Sequence, residues 1–145
     1  MTKPVVKFVK KHPDAQIPSY STEGAAGMDL SICERVTIQP RSRLRVTTGL
    51  NIKIPNGYMG FVQPRSGLAA KQGITVLNTP GLIDEDYTGE LGVILYNTTD
   101  EPITFMCPDR IAQLVILPAI QADTLEVETL EKTVRGESGF GSTGL

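Results

Sequence analysis

Asp84 stands in the densest polar segment of the chain, NTPGLIDEDYTGE (78–90), where Asp84, Glu85, Asp86 and Glu90 lie close to Tyr87, with glycines at 81 and 89. Such a turn is either a solvated hairpin tip or the place of a carboxylate that orients water for attack on phosphorus. Leu82 and Ile83 lead into Asp84, so strand alternation predicts Asp84 pointing inward and Glu85 outward. A second set is PRSGLA (64–69), placed between a predicted strand and a predicted helix. An arginine and a hydroxyl at a helix start, where N–H groups are unpaired and the dipole is positive, suit a phosphate. The plainer reading is Ser66 as an ordinary N-cap beside a surface arginine. Further along, Asp29 lies among apolar residues in AAGMDL (25–30), and Arg110 and Gln113 head a strong β run. Charge inside β runs costs free energy unless paired, so Asp29 and Arg110 are candidates for an internal ion pair as much as for ligand contacts.

The scarce residues exclude much. His12 is the single histidine, which removes HExxH zinc sites, Cys/His zinc clusters and two-histidine metal centres. Nothing around it, in KKHPD (10–14), suggests the buried, oriented imidazole of a Ser-His-Asp triad. Cys33 and Cys107 allow at most one disulfide; a reducing, cytoplasmic compartment is the simpler reading, which leaves room for a nuclear or viral context. A net charge of −2 over 145 residues gives no global attraction for nucleic acid or anionic membrane. No apolar run approaches the roughly 18 residues of a membrane span, and MTKP begins no signal peptide.

The elements that must position these residues are β-strands. Runs rich in Val, Ile, Leu and Thr recur at 5–9, 43–47, 50–54, 58–63, 74–77, 91–96, 103–106 and 111–117, separated by Gly, Pro, Asn and Asp. That spacing predicts a sandwich, jelly roll or barrel in one domain. The one predicted helix is short, 66–72, stopped by Gly73. The tail, RGESGFGSTGL (135–145), reads either as a disordered end or as a lid: glycines admit phosphate oxygens to backbone amides, Arg135 brings charge and Phe140 a flat face. GFGSTG (139–144) satisfies GxGxxG, but no helix can follow it, and Ser142 stands where a P-loop needs Lys.

Five segments in order, AGMDL (26–30), PRSGLAAKQGI (64–74), NTPGLIDEDYTGEL (78–91), DRIAQLV (109–115) and RGESGFGSTG (135–144), resemble the five motifs of the trimeric deoxyuridine triphosphatases, the dUTPase family. The resemblance implies an all-β, jelly-roll-like distorted barrel with one short helix, residues 1–134, and a mobile Gly-rich lid, 135–145. It implies a homotrimer with active sites shared between subunits. The implied reaction is hydrolysis of dUTP at the α-phosphate to dUMP and pyrophosphate. Such an enzyme removes dUTP from the nucleotide pool and supplies dUMP for thymidylate synthesis. Mg2+ would be held by the triphosphate, with Asp29 on its water shell. Asp84 resembles the water-activating carboxylate, and Tyr87 the ring that leaves no space for a 2′-hydroxyl. Asn78 and the backbone from Gly81 through Ile83 to Tyr87 resemble the uracil reader. Arg65, Ser66, Gly67 and Gln113 correspond to phosphate contacts, and Ser66 lies near the leaving pyrophosphate. Arg135 corresponds to a γ-phosphate clamp, and Phe140 to a ring stacked on uracil. Gly141, Ser142 and Thr143 close over the γ-phosphate. Cys107-Pro108 departs from the glycine the family usually places before DR, which predicts a different turn there. Two rivals are a dCTP deaminase, which shares the fold, and a binding module with degraded catalysis.

Overall fold

The computed structural model describes residues 2–144. Met1 and Leu145, the outer ends of the two expected ranges, lie outside the described residues. Ten strands and one helix follow in the order β1 (Lys7–Lys10), β2 (Met28–Ser31), β3 (Val36–Ile38), β4 (Arg43–Lys53), β5 (Tyr58–Gln63), α1 (Ser66–Gln72), β6 (Ile74–Val76), β7 (Gly81–Ile83), β8 (Glu90–Asn97), β9 (Ile103–Phe105) and β10 (Arg110–Pro118). They form a jelly-roll-like, all-β fold of two four-stranded sheets, β1-β4-β8-β6 and β2-β10-β5-β7, with a small β3-β9 sheet. Every pairing between them is antiparallel.

Alternation decides which face of each strand is buried. In β8, Leu91, Val93 and Leu95 are buried while Glu90, Gly92, Ile94 and Tyr96 are half-buried on the other face. Leu30, Ile52, Ile74, Ile111 and Leu114 come from both large sheets to the same core cluster. A buried side chain of this size contributes about 1.5–3 kcal/mol. The buried polar residues among those described are Thr48, whose hydroxyl donates to the Leu91 carbonyl, and Asn97. Its Nδ2 donates to the Ile38 and Glu101 carbonyls, and its Oδ1 accepts from the Thr99 amide and hydroxyl. A buried amide satisfied on both sides closes the 97–101 turn at little cost.

The runs at 43–47 and 50–54 join into the single strand β4. Its register with β8 shifts between Thr47 and Asn51, and Gly49 there has φ +69. This is a bulge rather than a break: the left-handed glycine absorbs an irregular ladder and the strand continues. A Cβ at Gly49 would also meet His12 Cβ at 2.6 Å and Cys33 Sγ at 3.0 Å. Cys33 is buried, and burial pushes its thiol above the ordinary range, as suits a packing residue. The first strand begins two residues later and ends one later than the apolar run at 5–9, because β1 pairs by backbone with Lys53–Leu50 at an exposed edge.

Helix α1 has the expected bounds and the expected glycine stop, with Gly73 left-handed at φ 64. Its N-cap is Arg65, without a side-chain cap bond, so Ser66 is the first helical residue and not the cap. The side chain of Arg65 is drawn instead to Asp29 and to the Arg110 carbonyl. Residues 121–138 are exposed throughout and belong to no strand or helix.

Candidate active site

Strand β5 pairs β7 on one edge and β10 on the other, so two groups of chemistry-bearing residues lie on opposite sides of it. On the β7 side is a cavity of about 220 Å³, lined among others by Asn78, Gly81, Ile83, Asp84 and Tyr87. That is small beside the roughly 300–1,000 Å³ of drug-sized sites, and suits one flat ring better than a whole nucleotide. The Tyr87 hydroxyl donates to the Glu90 carbonyl at 2.7 Å, and the Tyr87 amide donates to the Asp84 carbonyl at 3.2 Å. A Cβ at Gly89 would meet the Tyr87 hydroxyl at 2.6 Å, so the ring lies flat against the glycine. Gly81 likewise lets Asn78 Nδ2 approach, at 3.2 Å from where a Cβ would stand.

The expected inward Asp84 and outward Glu85 are reversed within the chain. Strand β7 ends at Ile83, which is buried with Gly81, while Leu82 and Asp84 are exposed and Glu85 is half-buried. Alternation puts Asp84 on the face of Leu82, not of the core; it lines the mouth of the cavity rather than its floor. Glu85 is held down: its Oε2 accepts from the Gly57 amide at 2.5 Å, and its carbonyl accepts from Lys53 Nζ. Lys53 also donates to the Ile54 carbonyl at 3.0 Å, so β4 grips the turn beside Asp84.

On the β10 side, Asp29 lies between two guanidinium groups. Arg65 Nε is 3.4 Å from Oδ1, and Arg110 Nη1 is 3.4 Å from Oδ2. The ion pair expected from an unpaired charge in a β run is present, with a second arginine. Asp29 faces Gln113 across the β2–β10 ladder, and Gln113 Nε2 donates to the Pro64 carbonyl at 2.9 Å. A Cβ at Gly27 would stand 2.6 Å from Gln113 Oε1, so a glycine is needed for this approach. Ser66 and Gly67 begin α1 beside Arg65, both exposed, and nothing lies within 4 Å of a Cβ built at Gly67. The result is a shallow cationic patch with free amides, suited to phosphate oxygens.

The tail forms a third group, brought to neither of the others. Arg135 Nε donates to the Ser138 carbonyl, Ser142 to the Gly139 carbonyl and Gly144 to the Gly141 carbonyl, all within the tail. Phe140 is fully exposed at φ 52, followed by Gly141 at φ 84, and Ser142 and Thr143 are exposed beside them. His12 takes no part in any group; its Nδ1 accepts the Asp14 amide at 3.1 Å. No group of three or more His, Cys, Asp or Glu converges as a metal site among the described residues.

Two cavity residues escape a reading by motif: Arg45 and, for its position, Glu90. The rule that pointed to Asp29, a charge inside a β run, applies equally to Arg45 between Leu44 and Val46.

The dUTPase family profile matches residues 13–144. The chain belongs to the dUTPase family. A deoxyuridine 5'-triphosphate nucleotidohydrolase of Anaeromyxobacter sp. is 49% identical over 144 residues, covering 99% of this chain and 98% of the relative. One of Beijerinckia indica is 52% identical over 144 residues, covering 97% and 90%. Among solved structures, the Staphylococcus bacteriophage 80alpha dUTPase with dUPNHPP superposes with a TM-score of 0.90 at 27% identity, over 97% of this chain and 99% of the phage chain. The dUTPase profile reaches through the tail, so the residues that lie apart within one chain belong to one family pattern. No described helix is long and apolar enough to cross a membrane.

Proposed function

We propose that this chain hydrolyses dUTP to dUMP and pyrophosphate, in a homotrimer whose active sites are shared between subunits. The observation that carries the reading is the ring-sized cavity lined by Tyr87 and by the exposed Asp84. In it, Asn78 and the backbone from Gly81 through Ile83 to Tyr87 read uracil. Fixed donors and acceptors matched to uracil O4 and N3–H meet the reversed pattern in cytosine, and mispaired buried polar groups discriminate strongly. Tyr87 packs on the deoxyribose and leaves no space for a 2′-hydroxyl.

Asp84 orients a water against the α-phosphate and takes its proton as the new P–O bond forms. The bond from the α-phosphorus to the bridging oxygen breaks, and pyrophosphate leaves. Arg65, Ser66, Gly67 and Gln113 carry the charge on the phosphates, where positioning and electrostatics supply most of the rate. The donor set fits Mg2+ delivered by the triphosphate: one carboxylate, Asp29, already faces two arginines and can hold waters of the ion rather than the ion itself. Bound there, Mg2+ would neutralise phosphate charge.

Shared sites are supported by the separation of the three groups, which one chain does not bring together. They are supported also by Ile120, Leu125 and Leu130, exposed at 92%, 86% and 82% along an arm that leads to the tail. Apolar residues spaced along an extended arm suit burial against neighbouring subunits. Residues 135–145 then act as a lid on another subunit's site, with Arg135 on the γ-phosphate, Phe140 on uracil, and Gly141, Ser142 and Thr143 closing over the phosphates. The product makes the chain part of nucleotide metabolism, removing dUTP and supplying dUMP, and the reduced thiols of Cys33 and Cys107 suit the cytoplasm.

The test is pyrophosphate release with Mg2+ from dUTP, UTP, dTTP and dCTP. Release from dUTP alone is expected; release from none, or ammonia from dCTP, overturns the reading. Sedimentation at three times the chain mass checks the assembly.

A further inference from the structure

The lining of the base cavity contains, beside Tyr87, an ion pair that the reaction itself does not call for. Arg45 lies on β4 opposite Ile94 of β8, on the outward face. Its side chain, half-exposed, runs back along β8 across Gly92. A Cβ at Gly92 would meet the Nε, Cζ and Nη2 atoms of Arg45, each at 2.7 Å. Beyond Gly92 the guanidinium reaches Glu90, with Nη1 3.7 Å from Oε2. The other carboxylate oxygen of Glu90 is buried and has no hydrogen-bond partner among the described residues. Arg45, Glu90 and Gly92 all line the cavity of Asp84 and Tyr87.

Glu90 is also where Tyr87 is tied. The tyrosine hydroxyl donates to the Glu90 backbone carbonyl, and between them in sequence stands Gly89, which offers the backbone little stiffness of its own. We propose that Arg45 is a positioning residue for sugar selectivity: its guanidinium, laid flat over Gly92, fixes Glu90, and Glu90 fixes the Tyr87 ring at the depth that excludes a 2′-hydroxyl. The inference rests on the dUTP hydrolase reading above and concerns the selectivity of that same cavity.

The geometry explains three residue types together. Position 92 must lack a side chain, because the guanidinium occupies that space. Position 45 requires a long cation, because it lies opposite residue 94 and must reach residue 90 along the strand. Position 90 requires an anion, since the half-exposed guanidinium would otherwise turn to solvent. An ion pair this exposed contributes little to overall stability. Its use is local: a ring displaced by about an ångström admits an atom it is meant to refuse.

The experiment compares kcat and KM for dUTP and UTP in the parent, Arg45→Leu, Arg45→Lys and Gly92→Ala, with thermal melting of each. The preference for dUTP over UTP is expected to fall about tenfold in Arg45→Leu, mainly through a lower KM for UTP, with kcat and KM for dUTP nearly kept. Gly92→Ala keeps both charges but displaces the guanidinium, and is expected to reproduce that loss. Arg45→Lys, which restores a cation, is expected to recover most of the preference. An unchanged dUTP/UTP ratio in Arg45→Leu or in Gly92→Ala overturns the inference, and so does an equal loss on both substrates. Should Arg45→Leu fail to fold, Gly92→Ala and Arg45→Lys decide by the same ratio. A parent without activity on dUTP overturns the underlying reading instead, and is distinguished by the first row of the same assay.

Discussion

The hairpin around Asp84 and the C-terminal tail are both short, polar, glycine-bearing stretches, yet the fold treats them oppositely. Residues 81–83 pair with β5, Lys53 and the Gly57 amide hold Glu85, and the Tyr87 hydroxyl is tied to the Glu90 carbonyl. Residues 135–144 have hydrogen bonds only among near neighbours in the chain, and Phe140 is bare. Selectivity needs groups fixed before the substrate arrives, because a mispaired polar group discriminates only when it cannot move away. Sequestering the phosphates needs a segment that can open and close. The contrast supports the proposed division, with base and sugar reading by the built hairpin and closure by the unbuilt tail.

The sharpest break of that contrast is at Asp84. Asp84→Asn keeps the shape of the hairpin and removes the base, so turnover of dUTP is expected to fall about 10²–10⁴-fold. Binding of a non-hydrolysable dUTP analogue and the melting temperature are expected to stay near the parent's, by calorimetry and thermal melting. Loss of binding in step with turnover would mean that Asp84 builds the cavity instead of activating water.

Phe140→Ala tests the other half. A stacked ring contributes about 1–3 kcal/mol, so kcat/KM is expected to fall roughly 5- to 150-fold. The melting temperature without nucleotide is expected to be unchanged, because Phe140 packs on nothing in its own chain. Protease resistance of the tail is expected only with the analogue bound. A melting temperature lowered in the free protein would show the tail to be a structural element and erase the contrast.

Lys53→Met asks how firmly the hairpin is built. It removes charge-assisted hydrogen bonds to the Ile54 and Glu85 carbonyls, and about 1.5–3 kcal/mol of stability is expected to go with them. Urea unfolding measures it. A loss of activity much larger than the loss of stability explains would place Lys53 in the alignment of Asp84.

How far the chain could be read from its residues follows the same division. Strand β5 and helix α1 have the expected bounds, since PNG at 55–57 and Gly73 are strong local stops. The Asp29–Arg110 pair follows from the cost of an unpaired charge in a β run. Gly49 misleads because a bulge and a turn use the same residue; only its packing on His12 and Cys33 separates them. Strands β3 and β7, of three residues each, pass unread where β6 and β9, equally short, stand in longer apolar runs. The exposed Asp84 is misread in phase: Gly81 and Ile83 form the buried face, so Asp84 shares the outward face of Leu82. Arg45 and Glu90 meet only through the β4–β8 register, which no local pattern contains. Motif order, by contrast, carried the family across all three groups, because it is indifferent to which of them one chain assembles.

The smallest expected effect lies outside both regions, and serves as their control. Arg41 and Asp100 form a close ion pair, Nε to Oδ1 2.8 Å, on side chains exposed at 61% and 81%. The hydrogen bond from Arg41, and then its charge, hold Asp100 below the ordinary carboxylate range. A carboxylate depressed in the folded state stabilises above its unfolded pKa, about 3.9, and that contribution is lost as pH falls through the lower folded value. In Asp100→Asn, any loss of stability is therefore expected at neutral pH and should vanish in acid, and solvent screening keeps it small. Melting curves at pH 7 and pH 3 measure the difference, with dUTP turnover unchanged at pH 7. A turnover change from so remote a pair would show that the 97–101 turn is coupled to the base cavity through β8, and that the hairpin is not the self-contained unit its own hydrogen bonds describe.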